Sequence, residues 1–320
     1  MVAKLTDVAE LAGVSPTTVS RVINKKGYLS QKTIDKVHAA MQELNYKPNN
    51  LARGLQGKSA KLVGLIFPNI SNIFYAELIE RLEDELFKQG YKTIICNSEH
   101  DPNKEKDYLE MLANQCDGII SSSHNLGIED YEKVEAPIVA FDRNLAPKIP
   151  IVSSDNFEGG KLAARALVKA GCQRIVMITG YDNSDSPTGL RQLGFNYELN
   201  KKGIICPVPN DLSLMRRELE IKSIISREKP DGIFVSDDLT AILIMKVAKQ
   251  MDISIPDDLK IIGYDGTAFI RHFYPELATI QQPLDEIAKL CVEILLKKIK
   301  GKTVNRDYVL PVNLIAGGSI

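Results

Sequence analysis

The sequence predicts an α/β protein in two parts: a small helical head, then a larger two-lobed body of parallel sheets flanked by helices. Three observations carry this. The first sixty residues hold three short amphipathic segments separated by tight turns. From Lys61 the pattern changes to apolar runs alternating with amphipathic helices, as in a parallel sheet covered on both faces. The length, 320 residues, is long for one domain and fits two or three.

Composition narrows the class. At 44% hydrophobic and 25% charged residues, the chain matches soluble globular proteins and excludes a disordered or collagen-like one. No apolar run approaches the roughly 18–20 residues of a bilayer span. The start, MVAKLTDVAE, has no apolar h-region, so a cytoplasmic location and no membrane partner are expected. Five scattered cysteines with no CxxC predict reduced thiols, neither a disulfide framework nor a metal site, and no cofactor is expected. Net charge is −1, but unevenly spread. Residues 1–60 hold nine Lys/Arg and four acids, a net of +5, and the other 31 basic and 37 acidic residues leave the body at −6. A basic head on an acidic body suits a polyanionic partner for the head alone.

In the head, the spacing of Val8, Ala9, Leu11 and Ala12 predicts a helix from about Thr6 to Ala12, ended by Gly13. Ser15 and Pro16 open a second, serine as N-cap and proline in the first turn, running to Asn24 with Val19, Val22 and Ile23 on one face. Ser30 caps a third, with Ile34, Val37, Met41 and Leu44 spaced by three or four, and Pro48 stops it. Helix, short turn and helix with a polar N-terminal face form the helix-turn-helix pattern. The second helix fits a DNA major groove, where Thr18 and Ser20 reach phosphates or bases and Arg21 a guanine edge. A three-helix protein-interaction module is the alternative on this evidence alone.

The stretch TDVAELAGVSPTTVSRVINKKGYLSQKTIDKVHAAMQELNYKPNNLARGLQGKS resembles, without a gap, the DNA-binding head and hinge of the LacI/GalR family of bacterial repressors. The resemblance implies that Pro16 and Thr17 start the recognition helix, that Thr17 and Arg21 face bases, and that Ser15, Thr18 and Ser20 anchor phosphates. Asn24, Tyr28, Asn49 and Asn50 complete the expected DNA contacts. It also implies a hinge helix after Asn49, with Leu55 as a minor-groove wedge that kinks the duplex. So short a helix is marginal alone, and Gly54 weakens it by about 1 kcal/mol relative to alanine. It is expected to order only with DNA and a partner hinge.

Strands are expected at Leu62–Phe67, Thr93–Cys96, Gly118–Ser122, Ile138–Asp142, Ile151–Ser154, Arg174–Thr179, Gly232–Ser236, Lys260–Tyr264 and Tyr308–Leu314. Helices are expected at Phe74–Gln89, Lys104–Asn114, Phe157–Ala170, Leu190–Lys202, Leu212–Arg227, Leu239–Gln250 and Leu284–Lys300. GLIFPNISNIFYAEL, VSSDNFEGG, GLRQLGF, DGIFVSDDLTA, IIGYDG and LATIQQPLDEIA resemble the family's body, which implies a periplasmic-binding-protein-like fold. The expected organisation is a helix-turn-helix domain over 1–48, a hinge over 49–60 and an effector-binding and dimerisation domain over 61–320. Its N-lobe spans about 61–154 and 284–307 and its C-lobe about 155–283 and 308–320, with crossings near Asp155, Pro283 and Asp307.

A ligand between the lobes meets the carboxyl ends of the strands. Sugars need dense hydrogen bonding and an apolar face. Asp142, Arg143, Asp237 and Asp265 stand at expected strand ends, and His124 lies in the SSSHN loop after another. The resemblance adds Arg191 as an effector contact and Phe74 and Tyr75 as a pair at the cleft mouth. N-capping of the following helix is the competing role for Asp238 and Asp155. Better-known members carry asparagine where Asp237 stands and phenylalanine where Leu284 stands, so effector chemistry does not transfer directly.

The expected function is a sequence-specific transcriptional repressor released from a pseudo-palindromic operator by a sugar or sugar phosphate. LQGKSAKLVGLIFPNISNIFY and SSSHNLGIEDYEKV resemble the subgroup governing sucrose use in Gram-positive bacteria. No leucine heptad tail follows the body, so a homodimer is expected. A catabolite-control regulator using a co-repressor or phosphorylated carrier protein is the alternative. An enzyme is not expected: Asp142, Asp237 and Asp265 imitate a glycosidase pair, yet no HExxH, GxSxG, P-loop or GxGxxG accompanies them. A transport binding protein shares the fold but would not carry the basic head.

Overall fold

The computed structural model describes residues 3–23, 27–46, 59–123, 125–180, 186–209 and 211–320. The chain divides into two compact units, Met1–Ala60 and Lys61–Ile320.

The head folds as three helices: α1 (Leu5–Ala12), α2 (Pro16–Ile23) and α3 (Gln31–Glu43). α1 starts one residue earlier than its apolar spacing suggests, because the Lys4 N–H donates to Asp7 Oδ2 (2.8 Å) and extends the first turn. The Thr18 N–H donates to Ser15 Oγ (3.1 Å) and the Thr33 N–H to Ser30 Oγ (3.3 Å), so both serines cap as expected. Val8, Ala9, Ala12, Val19, Val22, Val37 and Ala40 form the head's core, while Leu11 stays exposed.

Among the described residues the body holds two six-stranded sheets. The N-lobe sheet contains β1 (Leu62–Phe67), β2 (Lys92–Asn97), β3 (Gly118–Ser121), β4 (Ile138–Phe141), β5 (Ile151–Ser154) and β11 (Asp307–Leu310), in the order β11-β5-β4-β3-β1-β2 and all parallel. The C-lobe sheet contains β6 (Ile175–Thr179), β7 (Ile204–Pro207), β8 (Gly232–Val235), β9 (Lys260–Asp265), β10 (Ala278–Gln281) and β12 (Asn313–Ile315), in the order β12-β10-β9-β8-β6-β7. There β12 alone runs antiparallel, against β10.

Nine helices are described in the body: α4 (Ile73–Lys88), α5 (Pro102–Gln115), α6 (Ile128–Glu132), α7 (Asn156–Lys169), α8 (Pro187–Glu198), α9 (Leu214–Glu228), α10 (Asp238–Gln250), α11 (Ala268–Phe273) and α12 (Leu284–Ile299). Strand alternation distributes side chains to both faces. Val63, Leu65 and Phe67 pack with Leu78 and Leu82 of α4 and Ile287 and Leu295 of α12, whereas Ile66 faces Leu109 and Leu112 of α5. In the C-lobe, Ile233 and Val235 face one helical layer and Phe234 the other.

Several boundaries differ from the sequence reading. The run Tyr308–Leu314 is two strands in different lobes, since Pro311 has no N–H for a ladder and the chain leaves the N-lobe sheet there. The third crossing therefore falls at Pro311–Val312 rather than near Asp307. α8 starts at Pro187, capped by Ser186 Oγ accepting from the Gly189 N–H (2.9 Å), and stops at Glu198 because Asn200 and Lys201 adopt positive φ. β7, β10, α6 and α11 are four to six residues long, too short to show a period. All five cysteines are free. No described helix is long and apolar enough to cross a membrane.

α7 and α8 pack backbone to backbone, and glycine permits it. A Cβ on Gly160 would lie 2.0 Å from the Arg191 carbonyl oxygen, and one on Gly194 would lie 1.9 Å from that of Phe157. Gly160→Ala and Gly194→Ala are each expected to destabilise the body by about 1–3 kcal/mol, read as a lower urea midpoint.

Candidate functional site

The head presents its polar face on α2. Thr17 and Arg21 are exposed, and Ser15 and Thr18 share a hydroxyl–hydroxyl bond (2.9 Å). Pro16 occupies the first turn, Ser20 is half-buried, and Tyr28 is 95% exposed after α2. Side chains of this kind at a helix N-terminus suit phosphate and base-edge contacts. Asn24, Asn49, Asn50 and Leu55 lie outside the described residues.

In the body, polar side chains from both lobes converge at the carboxyl ends of the strands. Their centre is Arg191 on α8, only 7% exposed. Its Nε donates to Asn156 Oδ1 (2.9 Å) and its Nη1 to the Ser236 carbonyl (2.7 Å). The guanidinium stacks 3.7 Å from the Tyr264 ring centroid. The Tyr264 hydroxyl donates to the same Asn156 Oδ1 (3.2 Å). Asn156 Nδ2 then donates to Asp142 Oδ1 (3.1 Å), which follows β4 in the other lobe. Nearby, the Ser154 hydroxyl donates to Gln282 Oε1 (2.7 Å), and Gln282 Nε2 donates to Asp265 Oδ1 (2.8 Å). A further inter-lobe bond runs from the Ala268 N–H of α11 to Glu77 Oε2 of α4 (2.7 Å).

Burial sets the electrostatics. It pushes the Asp142 carboxyl up to about 6, although Arg191, Arg143 and the Asn156 bond pull the other way. It likewise holds Asp265 well above the usual carboxylate range. Burial raises the Tyr75 phenol, which faces Ser122, Arg143, Asp142 and Asp265. This cluster of hydroxyls, carboxylates and a guanidinium has the donor and acceptor density that a polyhydroxylated ligand requires. Thr179 Oγ1, buried at the end of β6, has no hydrogen-bond partner among the described residues. No cluster of metal-ligating side chains occurs among them either.

Asp142, Arg143, Arg191, Asp265 and Tyr75 therefore come together. Phe74 instead sits in the N-lobe core, its ring 6.0 Å from that of Phe141, because the first turn of α4 points it inward. Asp237 is the N-cap of α10: its Oδ1 accepts the Thr240 N–H (2.8 Å) and its Oδ2 the Thr240 hydroxyl (2.8 Å). Asp237 thus takes the capping role weighed for Asp238, which is instead the first helical residue and is buried. Asp155 caps α7, accepting the Glu158 N–H (2.9 Å). His124 lies outside the described residues. Its loop is anchored by Glu105, wholly buried, which accepts from Tyr131 Oη (2.5 Å), Ser123 Oγ (2.6 Å), Asn125 N–H (3.0 Å) and Asn125 Nδ2 (2.9 Å). Sequence reasoning missed Asn156, Tyr264, Gln282 and Glu105. Asn156 and Gln282 adjoin predicted crossings, and that adjacency was the available signal.

A basic helix-turn-helix head joined to a two-lobed ligand-binding body defines a DNA-binding transcriptional regulator. Residues 4–49 match the bacterial regulatory proteins of the lacI family, and residues 164–320 match the periplasmic binding protein-like domain. The sucrose operon repressor of Streptococcus mutans serotype c is 69% identical over 321 residues, covering 100% of both chains. The lac repressor dimer bound to operator and the anti-inducer ONPF aligns with a TM-score of 0.85 at 26% identity, covering 100% of this chain and 99% of that one. A LacI-type regulator from Alkaliphilus metalliredigens complexed with D-xylulofuranose aligns over 81% of this chain and 99% of its own, with a TM-score of 0.73 at 34% identity. The chain belongs to the LacI family of bacterial regulatory proteins. It is a transcriptional repressor, not an enzyme.

An acid whose value is raised on folding binds protons more tightly in the folded state. The Asp142 contribution to stability therefore falls as pH rises from 3.8 to about 6. Asp142→Asn is expected to reduce the downward slope of stability across that window, measured by urea titrations at several pH values.

Proposed function

We propose that this repressor silences genes for sucrose use and that sucrose or a sucrose phosphate releases it. The observation that carries this reading is the full-length 69% identity to a sucrose operon repressor, taken with the polar cluster around Arg191. Arg191, held over the Tyr264 ring, supplies a charged donor, and Asp142 and Asp265 accept from sugar hydroxyls. Arg143 beside them suits a phosphate substituent.

The repressor works in the cytoplasm as a homodimer on a pseudo-palindromic operator. Exposed Leu214, Met215 and Leu219 on α9, with Phe269 and Phe273 on α11, support an apolar contact between copies. Thr17 and Arg21 read base edges, while Ser15, Thr18 and Ser20 hold phosphates. Leu55 supplies the wedge from the hinge. Effector alters how the lobes sit across the crossings at Asp155, Pro283 and Pro311, and the two hinges part. For that shift, effector must bind the released state more tightly than the DNA-bound one.

Fluorescence anisotropy of a labelled palindromic operator, titrated with sucrose, fructose and their phosphates at fixed salt, tests the proposal. Release by sucrose or sucrose 6-phosphate is expected. Tighter binding, or none released by any sugar, overturns the inducer reading in favour of a co-repressor. Asp265→Ala is expected to keep operator affinity and lose release. Arg21→Ala is expected to cost about 1–3 kcal/mol of specific operator affinity while effector binding stays intact, measured by the same titration and by calorimetry.

A further inference from the structure

Asp238 is 1% exposed, and its carboxylate is held by two neutral donors. Its Oδ2 accepts the Gly266 N–H (2.7 Å) and its Oδ1 the Thr279 hydroxyl (2.6 Å). The first of these bonds holds the peptide that joins Asp265 to Gly266. The other side of that peptide is held too: the Asp265 carbonyl accepts the Gln282 N–H (3.0 Å). Between these restraints Asp265 adopts φ +115, a region that non-glycine residues occupy only when their surroundings over-determine it. Gly263, one turn of strand earlier on β9, leaves the room that the Asp238 carboxylate fills, since a Cβ there would collide with Oδ1. Thr279 ties the same carboxylate to β10. Asp238 thus joins α10, β10 and the turn after β9 at one buried point.

We infer that Asp238 is a positioning residue for effector recognition, clamping the Asp265–Gly266 peptide so that the Asp265 carboxylate is held in the polar cluster where the lobes meet. This rests on the reading of Asp265 as an effector contact. The clamp needs hydrogen-bond acceptance and not negative charge. An asparagine at 238 keeps one oxygen for the Gly266 N–H, and its amide donates to the Thr279 hydroxyl, which accepts as well as donates. An alanine there leaves the peptide N–H without its partner and frees the turn.

Sucrose and sucrose 6-phosphate binding by calorimetry, operator binding by anisotropy and thermal unfolding are compared for wild type, Asp238→Asn, Asp238→Ala and Thr279→Val. Asp238→Ala is expected to weaken sugar binding at least about tenfold while operator affinity stays within about twofold. Asp238→Asn is expected to stay within about threefold of wild type, and Thr279→Val to lie between the two. In an Asp265→Asn background, Asp238→Ala is expected to add little further loss, because the residue it positions is already changed. Asp238→Ala that binds sugar like wild type overturns the inference. So does Asp238→Asn as impaired as alanine, which would make the charge itself the contact. If Asp238→Ala does not fold, Thr279→Val and Asp238→Asn decide by the same criteria: a Thr279→Val variant equal to wild type counts against the clamp. Wild-type protein that binds neither sugar overturns the effector reading, and this role with it.

Discussion

A cation buried where two lobes meet is tolerable only when hydrogen bonds and an aromatic face replace much of its hydration. Arg191 meets that demand with Asn156, the Ser236 carbonyl and the Tyr264 ring. Much of the body follows from it. Arg191 reaches Asn156 because α7 and α8 approach at Gly160 and Gly194, where any side chain would force them apart. Asn156 faces Asp142 because the chain crosses between lobes immediately before it, at Asp155. One guanidinium therefore links the helix packing of the C-lobe to the strand ends of the N-lobe.

The same region shows how the two lobes of the body are connected. The lobes are joined by crossings rather than by a shared sheet, since each strand set closes within its own lobe. Contacts between them include the polar pairs Asp142 with Asn156, Ser154 with Gln282, and Glu77 with the start of α11, beside the apolar packing of Ile73 on the C-lobe core. Polar contacts of this kind exchange for ligand contacts at small net cost, whereas the packed cores of the lobes do not deform. On the proposed reading, a sugar bridging the lobes acts on their relative arrangement and leaves each fold unchanged.

Buried carboxylates held by neutral hydrogen-bond donors occur in both lobes. Glu105 holds the loop after β3 and Asp238 the turn after β9, each through donors it gathers from several elements. Burial raises the Asp238 carboxyl above the usual carboxylate range, a sign of how poorly the site solvates charge. In each case a helix of the lobe fixes irregular backbone at a strand end, where a ligand-binding surface needs definite shape but has no ladder to supply it.

The sequence by itself determined the head, the strand and helix alternation, and most cleft residues. Capping serines at 15 and 30 and the spacing of Val19, Val22, Val37 and Met41 are local signals, so α1 to α3 were legible. β1 and β5 matched residue for residue, β1 because its continuous apolar run marks a strand buried on both faces. Asp142, Arg191 and Asp265 were found through strand ends and family resemblance. Tertiary structure alone decided the rest. Whether Asp237 or Asp238 caps α10 depends on where the helix meets β9, a packing relation that no sequence period carries. Phe74 turned inward because Phe141 from another strand awaited it. The run after Tyr308 split because its two halves pair with β5 and β10, in different lobes. Local pattern encodes what a segment prefers. Partners distant in sequence decide what each side chain does, because hydrogen bonds and burial are settled only when those partners meet.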